Sequence, residues 1–220
     1  MPKLKLITME AMILLLAGLA AAVALVTVLT KTILQVEPGN LVARNAGLDM
    51  ATGEYVAFLD SDDVWLSPRK IEMQLHFMRQ RDSCLSFTAY QVSRGNASSP
   101  QLVDMACPET VSYKDMLSKK ATMGCSTIMF YRSLLPRVRM PELRTGQDYA
   151  TWLSILRTGK VAHRLPHVLT EYTIRPGSIS RNKFQKARRQ WQIYRTHERL
   201  DLWSSAYHFG HYAYRAFRRN

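Results

Sequence analysis

Cysteine is scarce in this chain and poorly placed for cross-linking. Only Cys84, Cys107 and Cys125 occur among 220 residues. They are odd in number, far apart and without a CxxC pair, so neither a disulfide framework nor a cysteine zinc site is indicated. A reducing compartment is the simplest reading. Glycine (10) and proline (9) are too few for a collagenous or low-complexity chain. No internal repeat is present. Histidine offers no transition-metal set: His163 and His167 lack acidic partners in motif spacing, and His208-x-x-His211 lacks a third ligand. Acidic residues are in deficit, 17 against 30 Lys+Arg, for a formal charge of +13. That excess points to anionic partners: nucleic acid, a membrane surface or phosphorylated small molecules. What is plentiful is ordinary globular material, 47% hydrophobic and 21% charged, enough for one domain with a real core.

Charge is unevenly spread. Residues 181–220 carry ten Lys+Arg against Glu198 and Asp201, a local charge of +8. Between Glu10 and Lys31, by contrast, no residue is charged. The run 12–29 is long enough to span a bilayer, and a membrane anchor is the favoured reading. Lys3 and Lys5 ahead of an apolar run also suit a signal peptide. A buried helix, or a strand through the β-branched stretch 23–28, remains open, because a uniformly apolar segment has no period to read.

Beyond Pro38 and Gly39 the pattern becomes that of an α/β domain. Residues 40–50 read as a helix ending at Thr52-Gly53, and 55–59 as a short apolar strand buried on both faces. That strand runs into Asp60-Ser61-Asp62-Asp63. Ser67 offers an N-cap with Pro68 at the first helical position, and Ile71, Leu75 and Met78 share one face of the helix that follows. Strands are expected at 85–90 and 126–131, with an irregular loop at 95–108 between them. A helix is expected at 148–157, closed by Gly159, and a pair of strands, 161–165 and 168–174, broken at Pro166. Trp203, Tyr207, His211 and Tyr214 recur at helical spacing near the C-terminus, with cationic flanks.

Asp60 and Asp62 flank one residue at the end of a buried strand, where open α/β sheets bind ligands. Two carboxylates approaching one point supply hard oxygen ligands for Mg²⁺ or Mn²⁺. A cation held by so few carboxylates keeps positions for phosphate oxygens, so the arrangement suits a diphosphate.

Several motifs together carry a resemblance. Gly39 to Gly47 with its Ala43-Arg44-Asn45, then Thr52-Gly53-Glu54 leading through the strand into Asp60-Ser61-Asp62-Asp63-Val64-Trp65, then Pro68-x-Lys70, are similar to the second half of the nucleotide-sugar domain of family 2 glycosyltransferases. Gly124-Cys125-Ser126-Thr127, Gln147-Asp148-Tyr149-x-x-Trp152 and Tyr172-x-x-Arg175-x-x-Ser178-x-Ser180 continue it, resembling bacterial enzymes of cell-surface polysaccharide synthesis, including the teichuronic-acid type. The resemblance covers residue 39 to the C-terminus. It implies an α/β fold: an incomplete GT-A (nucleotide-diphospho-sugar transferase, Rossmann-like) sheet with helices on its faces, here preceded by an apolar N-terminal helix. The expected organisation is an apolar segment at 1–36, a GT-A domain at 37–180 and a basic aromatic helical region at 181–220.

The resemblance also implies roles. Asp60 would approach the ribose or base side of a sugar nucleotide, and Arg44 would face the nucleotide. Asp62 would bind the metal, and Asp63 would support the turn or the metal shell. Asp148 would be the general base that takes the acceptor hydroxyl proton in an inverting transfer. Plainer alternatives exist: Asp148 as a helix cap, Arg44 paired with Glu54 or Asp49, and Trp152 as core. The Asn96-Ala97-Ser98 sequon carries no meaning in a cytoplasmic bacterial enzyme.

One departure stands out. The family's opening strand, helix and second strand, which hold the nucleotide base, are absent, and strand 55–59 would lose a neighbour on one side. Three functions follow. The first is a membrane-associated glycosyltransferase on the cytoplasmic side, using a UDP-sugar donor, a glycan or lipid-linked acceptor and Mg²⁺ or Mn²⁺, with no nucleic-acid partner. The second is a non-catalytic remnant of that fold. The third is a basic nucleic-acid-binding module using the C-terminal region.

Overall fold

The computed structural model describes residues 6–7, 23–28, 33–36, 41–93, 100–143, 145–173 and 183–218. Expectations falling on 12–22, on the 96–98 sequon and on 175–180 lie outside them. Ten strands form one sheet: β1 (Leu6–Ile7), β2 (Val23–Val28), β3 (Ile33–Val36), β4 (Tyr55–Leu59), β5 (Val64–Trp65), β6 (Leu85–Ser93), β7 (Gln101–Val103), β8 (Thr110–Val111), β9 (Ile128–Tyr131) and β10 (Ala162–Thr173). Their order is β1-β3-β2-β4-β9-β6-β10-β5, with β7 added on β6 and β8 on β10. The β6–β10 pair is parallel, and the other described pairs are antiparallel. The helices are α1 (Leu41–Met50), α2 (Lys70–Gln80), α3 (Tyr113–Leu117), α4 (Gln147–Leu156), α5 (Lys183–Gln192) and α6 (Leu202–Arg218), with a π-helical turn, Ile193–His197, between the last two.

The expected apolar N-terminal helix is not found among the described residues: Val23–Val28 is a strand. No described helix is long and apolar enough to cross a membrane. The β-branched residues of that stretch suit a pleated surface. Their ladder also gives β4 the neighbour it would otherwise lack. β2 pairs with β4 from Ala24↔Leu59 to Val28↔Tyr55, and β9 pairs with the other side of β4 from Tyr55↔Tyr131 to Ala57↔Met129. Backbone donors and acceptors on both edges of β4 are thereby satisfied.

β4 is covered on both faces, as its unbroken apolar run requires. Val56 and Phe58 enter the main core with Phe87, Phe130, Trp152 and Leu153, while Tyr55 and Ala57 face the smaller cluster under α2 with Met78 and Met129. Trp152 is fully buried, 6.1 Å from the Phe58 ring centroid, and is core as expected.

Three local expectations are corrected. α2 starts at Lys70 rather than Pro68; the Arg69 N–H donates to Ser67 Oγ at 3.2 Å just ahead of it. Its innermost residues are Lys70, Gln74 and Met78, while Ile71 and Leu75 are only partly buried. The loop expected at 95–108 contains β7, which pairs with β6. The two strands expected around Pro166 are one, β10, whose pairing with β6 shifts register between Leu165 and Val168. A bulge accommodates the residue that cannot donate to a ladder, and the strand continues.

The C-terminal region packs on this core. Ile193 and Tyr194 belong to the main cluster, and Tyr194 Oη donates to the Leu117 carbonyl at 2.5 Å. Tyr113 Oη donates to Glu198 at 2.6 Å, and Trp191 meets Phe209 edge to face at 5.5 Å.

Candidate active site

The acidic turn lies at the carboxyl end of β4, where the buried strand releases the chain. The Asp63 N–H donates to the Asp60 carbonyl at 3.0 Å and closes the turn. Ser126, from the short 3₁₀ turn Cys125–Thr127, holds it from the other side: its Oγ accepts from the Asp60 N–H at 2.9 Å and donates to Asp63 Oδ2 at 2.5 Å. The Ser126 carbonyl accepts from Trp65 Nε1 at 3.0 Å and from Thr170 Oγ1 at 3.3 Å. One serine thus ties the turn to β5 and β10. No charge marked it in the sequence; its membership of the Gly124–Thr127 motif was the available signal.

Arg44 reaches over from α1 and pairs with Asp60 at 2.5 Å, both side chains being largely withdrawn from solvent at 10% and 18% exposure. The alternative partners are otherwise engaged, Asp49 with Arg139 and Glu54 with Arg79. Burial pushes the Asp60 carboxyl above the ordinary aspartate range. Arg44 pulls it back, and the charges of Asp148 and Asp62 push it up again.

Asp148 sits in the first turn of α4, after Gly146 in left-handed backbone at φ 79°. Its charge registers on Asp60 and also on Tyr172 of β10. Burial first, then Asp63, Asp62, Asp60 and Asp148, raise the Tyr172 hydroxyl above its usual range. The charges of all four carboxylates act on Tyr172, and these groups lie 16 to 104 residues from Arg44 in sequence, so the fold joins distant parts of the chain in one electrostatic neighbourhood. The five residues expected to carry function, Arg44, Asp60, Asp62, Asp63 and Asp148, share it.

Beneath the turn is a group the sequence reading left without a role. Lys70 is fully buried, its Nζ 4.5 Å from the Trp65 ring centroid and donating to Gln74 Oε1 at 2.9 Å. Gln74 Nε2 donates to Ser86 Oγ and to the Thr127 carbonyl, both at 3.0 Å. Burial lowers the Lys70 amine to about 7.

As a metal site the turn is lean. No group of three or more His, Cys, Asp or Glu side chains among the described residues is placed to hold an ion. Asp60 is engaged by Arg44 and Asp63 by Ser126; Asp62 makes no hydrogen bond or ion pair among the described residues and is partly open to solvent. One open carboxylate within an acidic field fits a cation that draws its remaining ligands from a phosphate and water.

Comparison with known proteins adds the following. The family model for glycosyl transferase family 2 matches residues 32–137. Over 186 residues the chain is 40% identical to TuaG of Bacillus subtilis (strain 168), named as a teichuronic acid biosynthesis glycosyltransferase, covering 84% of this chain and 73% of that one. It is 34% identical over 152 residues to WfgD of Escherichia coli, a UDP-Glc:alpha-D-GlcNAc-diphosphoundecaprenol beta-1,3-glucosyltransferase, covering 69% of this chain and 58% of WfgD. The crystal structure of S. aureus TarS 1-349 in complex with UDP-GlcNAc superposes with a TM-score of 0.51 at 19% identity, over 73% of this chain and 48% of that one. The likeness to TarS is one of fold, a mixed α/β sheet with flanking helices.

Proposed function

The chain belongs to glycosyl transferase family 2, and from that premise we propose that it transfers a sugar, of hexose type, from a nucleoside diphosphate donor to a glycan or lipid-linked acceptor in cell-surface polysaccharide synthesis. One observation carries the reading: the acidic turn at the end of β4 is held as a unit, Arg44 pairing with Asp60 at 2.5 Å and Ser126 bonding both Asp60 and Asp63, while Asp62 is left partly open to solvent. A UDP-sugar is the proposed donor, in keeping with the donor named for WfgD and the ligand named for TarS.

The division of labour follows from how each group is held. Arg44 and Asp60 form a buried ion pair whose rigidity suits orienting the nucleoside end of the donor. Asp63 and Ser126 hold the turn in shape. Asp62 would hold Mg²⁺ or Mn²⁺ against the diphosphate, and a metal there would neutralise charge on the departing nucleoside diphosphate. Asp148 accepts the proton of the acceptor hydroxyl as that oxygen attacks the anomeric carbon, the donor's bond to its diphosphate oxygen breaking on the opposite face.

Calorimetric titration of the full chain with UDP, and with GDP and dTDP as controls, with and without Mn²⁺, tests this. Binding of UDP that requires Mn²⁺ and falls at least about tenfold in Asp62→Ala is the expected result. A folded sample that binds no nucleotide overturns the proposal and leaves a non-catalytic member of the family.

A further inference from the structure

α6 turns one line of aromatic side chains outward. At about 100° per residue, Trp203, Tyr207, Gly210, Tyr214 and Phe217 fall in one arc of the helix. Trp203 is 85% exposed, Tyr207 63%, Tyr214 59% and Phe217 81%. The opposite arc is the one that packs: Ser205 is fully buried, Phe209 meets Trp191 at 5.5 Å, and His208 shares a hydrogen bond with Ser118 at 3.0 Å. A surface helix ordinarily hides its large apolar residues and shows its polar ones. Here the inner arc already holds the helix in place, so folding does not account for the outer rings.

Charge selects what they meet. From residue 203 to 214 there is no charged side chain of either sign, apart from the titratable His208 and His211. The excess of cations stands beyond the C-terminal part of the stripe, at Arg215 and Arg218, while before it Arg195 and Arg199 are matched by Glu198 and Asp201. Trp and Tyr join an apolar body to a polar tip, the combination that settles at the headgroup level of a bilayer. Arginines at the end of a helix lying flat reach lipid phosphates, and the +8 of residues 181–220 draws the whole region to an anionic surface. A second copy of the chain would bring two C-terminal regions together, each of charge +8 over residues 181–220. A single-stranded nucleic acid would call for cations interleaved among the rings to track its phosphates, and from Trp203 to Tyr214 the stripe has none.

We propose that the outward face of α6 docks on an anionic lipid bilayer, the helix lying in the plane of the interface with Trp203, Tyr207, Tyr214 and Phe217 entering the headgroup layer. The inference stands on exposure and charge and does not depend on the reading of the acidic turn.

The test is co-sedimentation of the full chain with phosphatidylglycerol-containing vesicles and with phosphatidylcholine vesicles, at low and high salt. A triple variant, Trp203→Ser, Tyr207→Ser and Phe217→Ser, is run beside it. All three positions are exposed, so the variant is expected to fold, which circular dichroism and the thermal midpoint verify. Wild type sediments with anionic vesicles, with about tenfold weaker partitioning for neutral vesicles and for the triple variant, and weaker partitioning at high salt. Wild type that stays in solution with anionic vesicles, or a triple variant that partitions as wild type does, overturns the proposal. So does a result in which the rings are needed for self-association or for binding an oligonucleotide while vesicle binding is unchanged by their removal.

Discussion

Lys70 is the residue whose ionisation is most exposed to measurement, because nothing around it carries a compensating charge in the contacts described: Gln74 accepts its hydrogen bond and Trp65 offers a ring face. Burial favours the neutral amine and the ring favours the cation. With the folded-state amine lowered from 10.5 to about 7, the unfolded chain binds more protons than the folded one between those two values. Stability therefore rises with pH across that window, by up to about 1.4 kcal/mol per pH unit from this group. Lys70→Met removes the titration. Denaturant unfolding at several pH values from 7 to 9 is expected to show the wild-type slope flattened in the variant, and two parallel curves would refute the assignment. The slope is the readout rather than the absolute stability, since the substitution also leaves Gln74 Oε1 without its donor. Asp60 behaves differently although it too is buried and shifted upward, because Arg44 lies 2.5 Å away and offsets part of the desolvation.

At the scale of single elements, α4 shows how backbone conformation places chemistry. Its N-cap, Gly146, lies at φ 79°, and a Cβ there would stand 3.2 Å from Arg189 Cδ and Nε and from Ile193 Cδ1. Both the left-handed backbone and the close approach of α5 ask for glycine. Gly146→Ala is expected to cost about 1–2 kcal/mol in denaturant unfolding, and to lower kcat beyond that loss by moving Asp148, two residues on; unchanged stability would show the site more pliant than the contacts imply. How legible such elements were depended on their patterning. α1, β4, the acidic turn and α4 announced themselves by apolar period, by an unbroken five-residue apolar run and by carboxylates at the strand's end. The stretch 23–28 did not, because an all-apolar segment has no period and only pairing with β4 decides its form. α2 misled in the opposite way: the polar Lys70 and Gln74 point inward to meet Trp65, Ser86 and Thr127, so an amphipathic reading centred on Ile71, Leu75 and Met78 sets the buried face too far round the helix, although Met78 is part of it. Ser126 was invisible as a functional residue because a serine reveals its partners only once β4, β5 and β10 are assembled around it.

For the molecule as a whole, the question is whether the basic C-terminal region is an appendage or part of the folding unit. Sequence composition divides the chain near residue 180, but α5 and the π-helical turn after it contribute side chains to the same core as the sheet. Ile193 and Tyr194 are almost fully buried beside Tyr149 and Leu117, and Glu198, also buried, accepts from Tyr113 and pairs with Arg157 at 3.5 Å. Fully burying a side chain of this size is worth about 1.5–3 kcal/mol. Withdrawing two of them and stranding the polar groups that meet Glu198 costs an amount comparable with the 5–15 kcal/mol by which domains are typically stable. A chain ending at residue 180 is therefore expected to lose its cooperative thermal transition. A chain ending at residue 201 gives up α6, whose inward contacts include the Phe209–Trp191 ring pair, the Tyr194–His208 ring contact and the His208–Ser118 hydrogen bond, and is expected to retain a cooperative transition at a lower midpoint. Scanning calorimetry of the two truncations beside the full chain distinguishes these outcomes. A cooperative transition of undiminished enthalpy in the shorter chain would make the region from 181 onward a separate unit. Loss of the transition in the chain ending at 180, with a cooperative transition kept in the chain ending at 201, would mean that α5 and the π-helical turn fold as one unit with the core behind the acidic turn.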